Sequence, residues 1–469
     1  MTARRHTPWP GEPLDGAETP APRARPADDF PPLWDTATDG DPGVPRDTPT
    51  GRAPALRSRP ADEGLPPRDT ATDGGPGAPR DTPTGRAPAL RSQSADESPP
   101  TRNTAADEPP APRAEPAAAT PARRVPRSAV SPVDGPLAER LADAVAASDA
   151  PDVVFALSRH GRRTIASGGT SPPPPLPRED LRYETGSAAK TFTGLLLARL
   201  IHSGELSGGE PAAALLARGQ PPGANPVTLA HLITHTSGLP ALPAGFFLRG
   251  LPAWHTNPYA RFPAARVADA FLRHRPRHRP GTRWRYSNYG VAVLGHALAA
   301  ATRTPWEDLL TDQVLRPLGL NGTTLRADDS GLDAPGHGKD GESPVPPFDA
   351  GGFQAAGAVR ATPHDLLTFI EAHLDPTGAP SQLAAALRAV RRPVLRRGIG
   401  HRHVHTIAWF CHPTGGGPMY FHSGATLGQQ AFLGFRPDTG TALAALCTRR
   451  FRAHDPFLAT AYELLAEEE

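Results

Sequence analysis

The placement of proline most constrains what this chain can fold into. Residues 1–132 hold 28 of its 60 prolines and only nine Leu, Ile, Val or Phe residues. Proline removes a backbone donor and is excluded from helix interiors and central strands. A segment so poor in apolar side chains also buries too little surface to offset its ordering entropy. The expectation is a disordered tail over 1–132 and one folded domain over 133–469. The tail also contains a near-duplicate: Asp35 to Glu63 recurs at Asp69 to Glu97, offset by 34 residues, with changes only at Asp41/Gly75, Val44/Ala78, Arg59/Gln93 and Pro60/Ser94. Two proline-rich copies without an apolar stripe make no solenoid, so a tandem duplication is the better reading, and nothing names a partner for the tail.

The remaining 337 residues carry nearly all the aliphatic and aromatic content, enough for one large or two-lobed domain. Formal net charge is +2, with arginines and acids interspersed, so the overall balance selects neither nucleic acid nor a membrane as partner. Met1 to Phe30 has no apolar run after its arginines, and no stretch elsewhere is long enough to span a bilayer. These features predict an unexported, cytoplasmic protein without a membrane span. Its two cysteines, Cys411 and Cys447, sit in apparent core strands and read as buried free thiols.

Pro136 to Ala147 has helical periodicity, and Asp152 to Ser158 turns to a strand pattern. Arg159 to Arg162 reads as a hairpin turn before Thr164 to Ala166. From about Leu195 to Leu320 the pattern is mostly helical. The C-terminal part alternates strand and turn signals: His405 to Cys411, Pro413 to Gly417, Met419 to Gly424, Ala431 to Phe435, Asp438 to Gly440 and Thr441 to Cys447, closed by a helix over Pro456 to Glu467. The predicted fold is mixed α/β (α+β): an antiparallel sheet built from both chain ends, flanked by helices, with a helical lobe inserted between.

Of the 50 basic residues only two, Lys190 and Lys339, are lysine. Arginine stays protonated in proteins, whereas a lysine amine can be made neutral by burial and then accept a proton. Lys190 lies three residues after Ser187 at the start of an apolar helix pattern, so both share a face and the amine reaches the hydroxyl. That pairing suits a nucleophile and its base. Alone it is weak, because a capped helix start and a surface lysine would look the same. Its companions are Tyr286-Ser287-Asn288 at a loop-to-helix boundary and His422-Ser423-Gly424 at a strand end.

In these three ordered motifs the chain resembles the serine β-lactamase and penicillin-binding-protein superfamily, in the branch of class C β-lactamases, D,D-carboxypeptidases, D-aminopeptidases and related esterases. Leu232 to Pro240, Arg316 to Leu320 and Ala356 to Leu366 are similar to further landmarks of that branch. The resemblance covers about residues 135–469 and none of the tail. It implies a β-lactamase/transpeptidase-like fold with Ser187 as acylated nucleophile and Lys190 as the amine taking its proton, while the sequence leaves open which of Lys190 and Tyr286 is the working base. It further implies that Tyr286 relays the proton, its phenol acidified by the lysine cation, and that the backbone N–H groups of Ser187 and Ala425 form the oxyanion hole. Asn288 would bind the acyl side of the substrate, with His422, Ser423 and Gly424 on the facing strand. Many β-lactamases have lysine where this chain has His422; a histidine titrating near about 6.5 would read a substrate carboxylate only when protonated.

The reading is a serine hydrolase forming an acyl-enzyme on a small ester, amide or peptide, with no metal or cofactor. The alternatives are acyl transfer to an acceptor other than water and a non-catalytic ligand-sensing module on the same fold. His235 and Gly238 read as a helix end with a C-cap glycine. His401, His403 and His405 alternate as strand neighbours would, but no carboxylate or cysteine completes a usual ligand set.

Overall fold

The computed structural model describes residues 135–217, 225–254, 256–276, 278–397, 403–453 and 455–467; the expected tail and His401 lie outside them. Helix α1 (Gly135–Ala147) leads into strands β1 (Val153–Arg159) and β2 (Arg162–Gly168). His160 and Gly161 form the intervening turn with φ of 49° and 78°. Two left-handed residues are what a two-residue hairpin needs to match the strand twist.

The chain then leaves the sheet. A short strand β3 (Tyr183–Glu184) pairs with β4 (Arg360–Ala361), and between them lies the lobe containing α2 (Ala189–His202), α3 (Leu229–Ile233), α4 (Phe246–Gly250), α5 (Ala264–Arg273) and α6 (Asn288–Thr302). Helix α7 (Pro363–Leu374) follows, with Thr362 capping its N-terminus by accepting from Asp365 N. The chain returns to the sheet as β5 (Leu395–Arg397), β6 (His403–His405), β7 (Phe410–Thr414), β8 (Gly417–Ala425), β9 (Gln430–Arg436) and β10 (Thr441–Cys447), and ends in α8 (Phe457–Ala466).

These strands form an eight-stranded sheet in the order β2-β1-β10-β9-β8-β7-β6-β5, antiparallel at every pairing. Strand β1 lies against β10, Val153 opposite Cys447 through Arg159 opposite Thr441, so the first and last strands of the folded part are neighbours in one sheet. Side chains alternate between two packed faces. Val153, Phe155, Phe421, Phe432 and Ala445 meet α1 and α8, while Val154, Ala156, Tyr420, Leu433 and Ala444 meet the lobe. Strands buried on both faces read as near-continuous apolar runs, which is why β9 and β10 carry so few polar residues.

Two expectations are corrected. His405 to Cys411 is not one strand: Ala408 has a φ of 68° and Thr406 N donates to Trp409 O at 2.9 Å, a turn that separates β6 from β7. Gly238 does not cap α3. His235 itself takes the left-handed position after that helix, with φ of 57°, and Gly238, with φ of 77°, lies beyond it. Cys411 and Cys447 are both buried and free.

Candidate active site

Ser187 lies in a single 3-10 turn, Gly186–Ala188, running directly into α2. Gly186 has φ of 49°, and a Cβ there would meet Ala425 O, C and N at 2.5 to 2.8 Å. The converse holds on β8. A Cβ at Gly424 would lie 2.0 Å from Thr185 O, 2.7 Å from Ala188 N and 2.8 Å from Ser187 N. Only two glycines allow the strand and the serine turn to approach this closely. The strand is free to do so because β7 pairs only with Gly417 to Phe421, leaving residues 422 to 425 with one open edge. Thr426 N donates to Gln429 O on the β9 side, so strand alternation turns the Ala425 N–H to that open edge, beside Ser187.

Lys190 is on the first turn of α2, 1% exposed, with Nζ 2.9 Å from Ser187 Oγ and donating to Ala356 O at 2.8 Å. Burial holds its amine well below the usual lysine range. With one N–H on Ala356 O, a neutral amine still offers its lone pair to the serine hydroxyl. Tyr286 stands beside this pair, its ring centroid 5.2 Å from Lys190 Nζ. Its hydroxyl is buried without a hydrogen bond of ordinary geometry. Burial pushes the phenol above the usual tyrosine range, and the neighbouring Ser187 only partly offsets this. The acidified phenol implied by the resemblance is therefore not what the structure contains.

His422 is corrected as well. It is 2% exposed and lies behind the cavity wall, its ring 5.2 Å from Phe410. Burial pushes its imidazole down to about 3. Nδ1 lies 2.6 Å from Ser423 O, and since a carbonyl only accepts, the proton sits on Nδ1 and Nε2 is left as an acceptor. The residue is a neutral imidazole at neutral pH, where the sequence led us to expect a partly charged one.

The open space in front of these groups is a cleft lined by Ser187, Asn288, Ser423, Gly424 and Ala425 among the expected residues. Lys190, Tyr286 and His422 stand behind that lining. The Ser423 hydroxyl is buried with no hydrogen-bond partner among the described residues, as is Asn288 Oδ1. Sequence reasoning missed the apolar wall of Tyr259, Phe348, Phe353, Leu427 and Phe451, and the cation Arg450 in the same lining. It also underweighted His235, whose Nδ1 accepts from Ser287 N at 3.2 Å and whose ring packs 4.5 Å from that of Tyr286. A non-glycine residue held at positive φ is a conformation the surroundings must enforce. Beneath the cleft, Glu184 accepts from Phe348 N at 2.7 Å, Arg360 Nη2 at 2.8 Å and the Thr426 hydroxyl, tying three wall segments together. His403 and His405 sit on β6, where His405 accepts from Arg397 Nε at 2.8 Å rather than presenting a metal-ligand set.

The sequence profile of the family described as Beta-lactamase matches residues 137–468. The chain belongs to the β-lactamase family. It is 30% identical over 315 residues to penicillin-binding protein 4 of Amycolatopsis lactamdurans, a match covering 61% of this chain and 77% of that protein. It is 26% identical over 212 residues to a β-lactamase of Pseudomonas fluorescens, covering 45% of this chain and 56% of the other. It is 29% identical over 208 residues to the D-alanyl-D-alanine-carboxypeptidase/endopeptidase AmpH of Escherichia coli (strain K12), covering 42% and 50%. The chain thus spans only about half the length of the last two. Among solved structures, a β-lactamase/D-alanine carboxypeptidase from Pseudomonas syringae superposes with a TM-score of 0.60 at 20% identity, over 72% of this chain and 100% of that one. A class C β-lactamase from Rhodobacter sphaeroides gives 0.58 at 22%, over 70% and 97%. The fold is that of the β-lactamase/transpeptidase group, and the chain is a β-lactamase-family serine hydrolase with acyl-enzyme chemistry. No helix among the described residues is long and apolar enough to cross a membrane.

Proposed function

We propose that Ser187 is the acylated nucleophile and that Lys190, not Tyr286, is its base. The observation that carries this is the buried amine 2.9 Å from Ser187 Oγ, held below the usual lysine range by its burial. In acylation the Ser187 O–H proton passes to Lys190 Nζ as Oγ bonds to the substrate carbonyl carbon. The backbone N–H groups of Ser187 and Ala425 face the oxygen that gains charge. Collapse breaks the bond to the leaving oxygen or nitrogen, which takes a proton through the Tyr286 hydroxyl while Lys190 returns to neutral. A phenol with a raised pKa keeps its proton and suits donation better than abstraction. Water then attacks the acyl-enzyme by the reverse route and releases the acid.

Asn288 supplies the amide for the acyl side. Ser423 and Gly424 contribute main chain to the wall, and His422 acts as a neutral support behind Lys190. Arg450 is the charged residue of the cleft lining among the described residues, and much of that lining is aromatic. This combination favours a small ester, amide or peptide with an apolar acyl part and a carboxylate near the scissile bond. The carboxypeptidase named among the relatives fits that description. An intact nucleophile, base and proton donor disfavours a purely ligand-sensing role.

The test is intact-mass analysis after exposure to a fluorophosphonate probe and to a penicillin. One adduct on Ser187, absent in Ser187→Ala, is expected. Labelling that persists in Ser187→Ala overturns the assignment.

A further inference from the structure

The overall charge of +2 conceals a strongly uneven distribution. Between Leu239 and Arg285 there are nine arginines and one acid, Asp269. Eight of these arginines are exposed and Arg277 lies outside the described residues. Asp269 is already paired with Arg273 at 4.0 Å. From outside this segment, Asp349 is brought close, its main-chain oxygen accepting from Asn257 Nδ2, but one carboxylate oxygen is engaged by Gly351 N.

The same segment carries the most exposed large apolar side chains among the described residues: Leu248 at 82%, Leu251 at 69% and Phe247 at 53%. They project from α4 and the turn after it. The helix is anchored from below by Phe246, whose ring packs on Tyr259, Phe262 and Phe353 at 5.0 to 5.7 Å. Phe247 leans on Trp254 at 5.4 Å. Arg249 lies on α4 itself, and Arg261 ends the single turn Tyr259–Arg261 that Phe246 packs against. Tyr259 and Phe353 also line the catalytic cleft, so the projecting tip stands one aromatic layer from it.

We infer that this tip docks the protein onto an anionic lipid surface, the leucines and Phe247 entering the headgroup boundary while Arg249, Arg261 and their neighbours meet acidic headgroups. Interfacial binding requires this pairing of protruding apolar side chains with flanking cations. A second copy fits poorly, because a two-fold contact would set the arginines against one another. A nucleic acid would satisfy the arginines but leave the leucines in water. The inference does not depend on the proposed catalytic roles.

The experiment is co-flotation of the full chain with vesicles of phosphatidylcholine alone and of phosphatidylcholine with one-third phosphatidylglycerol. Binding is expected to the anionic vesicles, weakening with added salt. Leu248→Ser with Leu251→Ser should lower the partition coefficient at least about tenfold, and Arg249→Glu with Arg261→Glu by a similar factor. In both variants an unchanged thermal midpoint and turnover of a water-soluble ester establish an intact fold. Absence of wild-type flotation, or equal flotation of wild type and the leucine variant, overturns the inference. So does lipid-free dimerisation in sedimentation velocity that Leu248→Ser abolishes, which would assign the tip to a self-interface.

Discussion

Replacing Gly424 by alanine should disable the protein out of proportion to the single methyl group added. The new Cβ would lie 2.0 Å from Thr185 O and within 2.8 Å of Ser187 N and Ala188 N. All three are backbone atoms, so no rotamer relieves the clash. Restoring even a tight contact means opening the gap between β8 and the serine turn by at least about 1 Å. That gap separates the two N–H groups proposed as the oxyanion hole. A displacement of ~1 Å in a catalytic constellation costs on the order of a hundredfold, and loss of one oxyanion donor costs about as much or more. Overpacking adds about 1–3 kcal/mol of destabilisation, a fall of several degrees in Tm for a domain of this size. The expected result is a drop in kcat/KM on an activated ester of at least about a hundredfold, with a folded near-ultraviolet spectrum and a modestly lowered Tm. Gly378→Ala, where an added Cβ meets nothing within 4 Å, is the control and should change neither. If Gly424→Ala stays within about threefold of the parent at unchanged Tm, the reasoning about this interlock is wrong.

Lys190→Arg should slow acylation at least about a hundredfold in stopped-flow assays, close to the effect of Lys190→Ala, because arginine cannot become the neutral base; retention of most activity refutes that role. Burial depresses His422 and His405 to about 3 and His373 to about 4, so each takes up a proton on unfolding below about pH 6.5. Their contribution is intact above that pH and lost as pH falls toward the folded values, by up to about 1.4 kcal/mol per pH unit for each histidine. The urea midpoint should therefore drop between pH 7 and 5, and a flat midpoint counts against it. A rate inflection near pH 6.5 that vanishes in His422→Gln would restore the charge-reading role rejected above. Arg450→Ser should raise KM about tenfold for a carboxylate-bearing substrate and leave a neutral ester unaffected; parallel changes on both would remove Arg450 from recognition.

Pattern and spacing along the chain were enough to place the sheet strands toward both ends of the folded part, the lobe between them, and the serine and lysine as a pair; Tyr286 joined them only through the family resemblance. Alternation, helical period and a three-residue offset are local quantities, and they survive folding unchanged. Even the glycine of His422-Ser423-Gly424 was visible as a letter, though not as the position where a strand edge presses on the serine turn. What only the tertiary structure decided was the state of the groups. His422 is neutral, the Lys190 amine is held well below its usual range, and Tyr286 is a stronger holder of its proton than free tyrosine, because each is walled off from water by residues far away in sequence. Arg450 and Phe348 join the cleft, and Glu184 binds its walls, without any motif to announce them. Their placement depends on long-range packing, and so does the solvation that sets charge. The arginine-rich, leucine-tipped segment shows the same division: its composition can be read from the chain, but which of its apolar side chains stay in water was settled only when Phe246 turned inward and Leu248 did not.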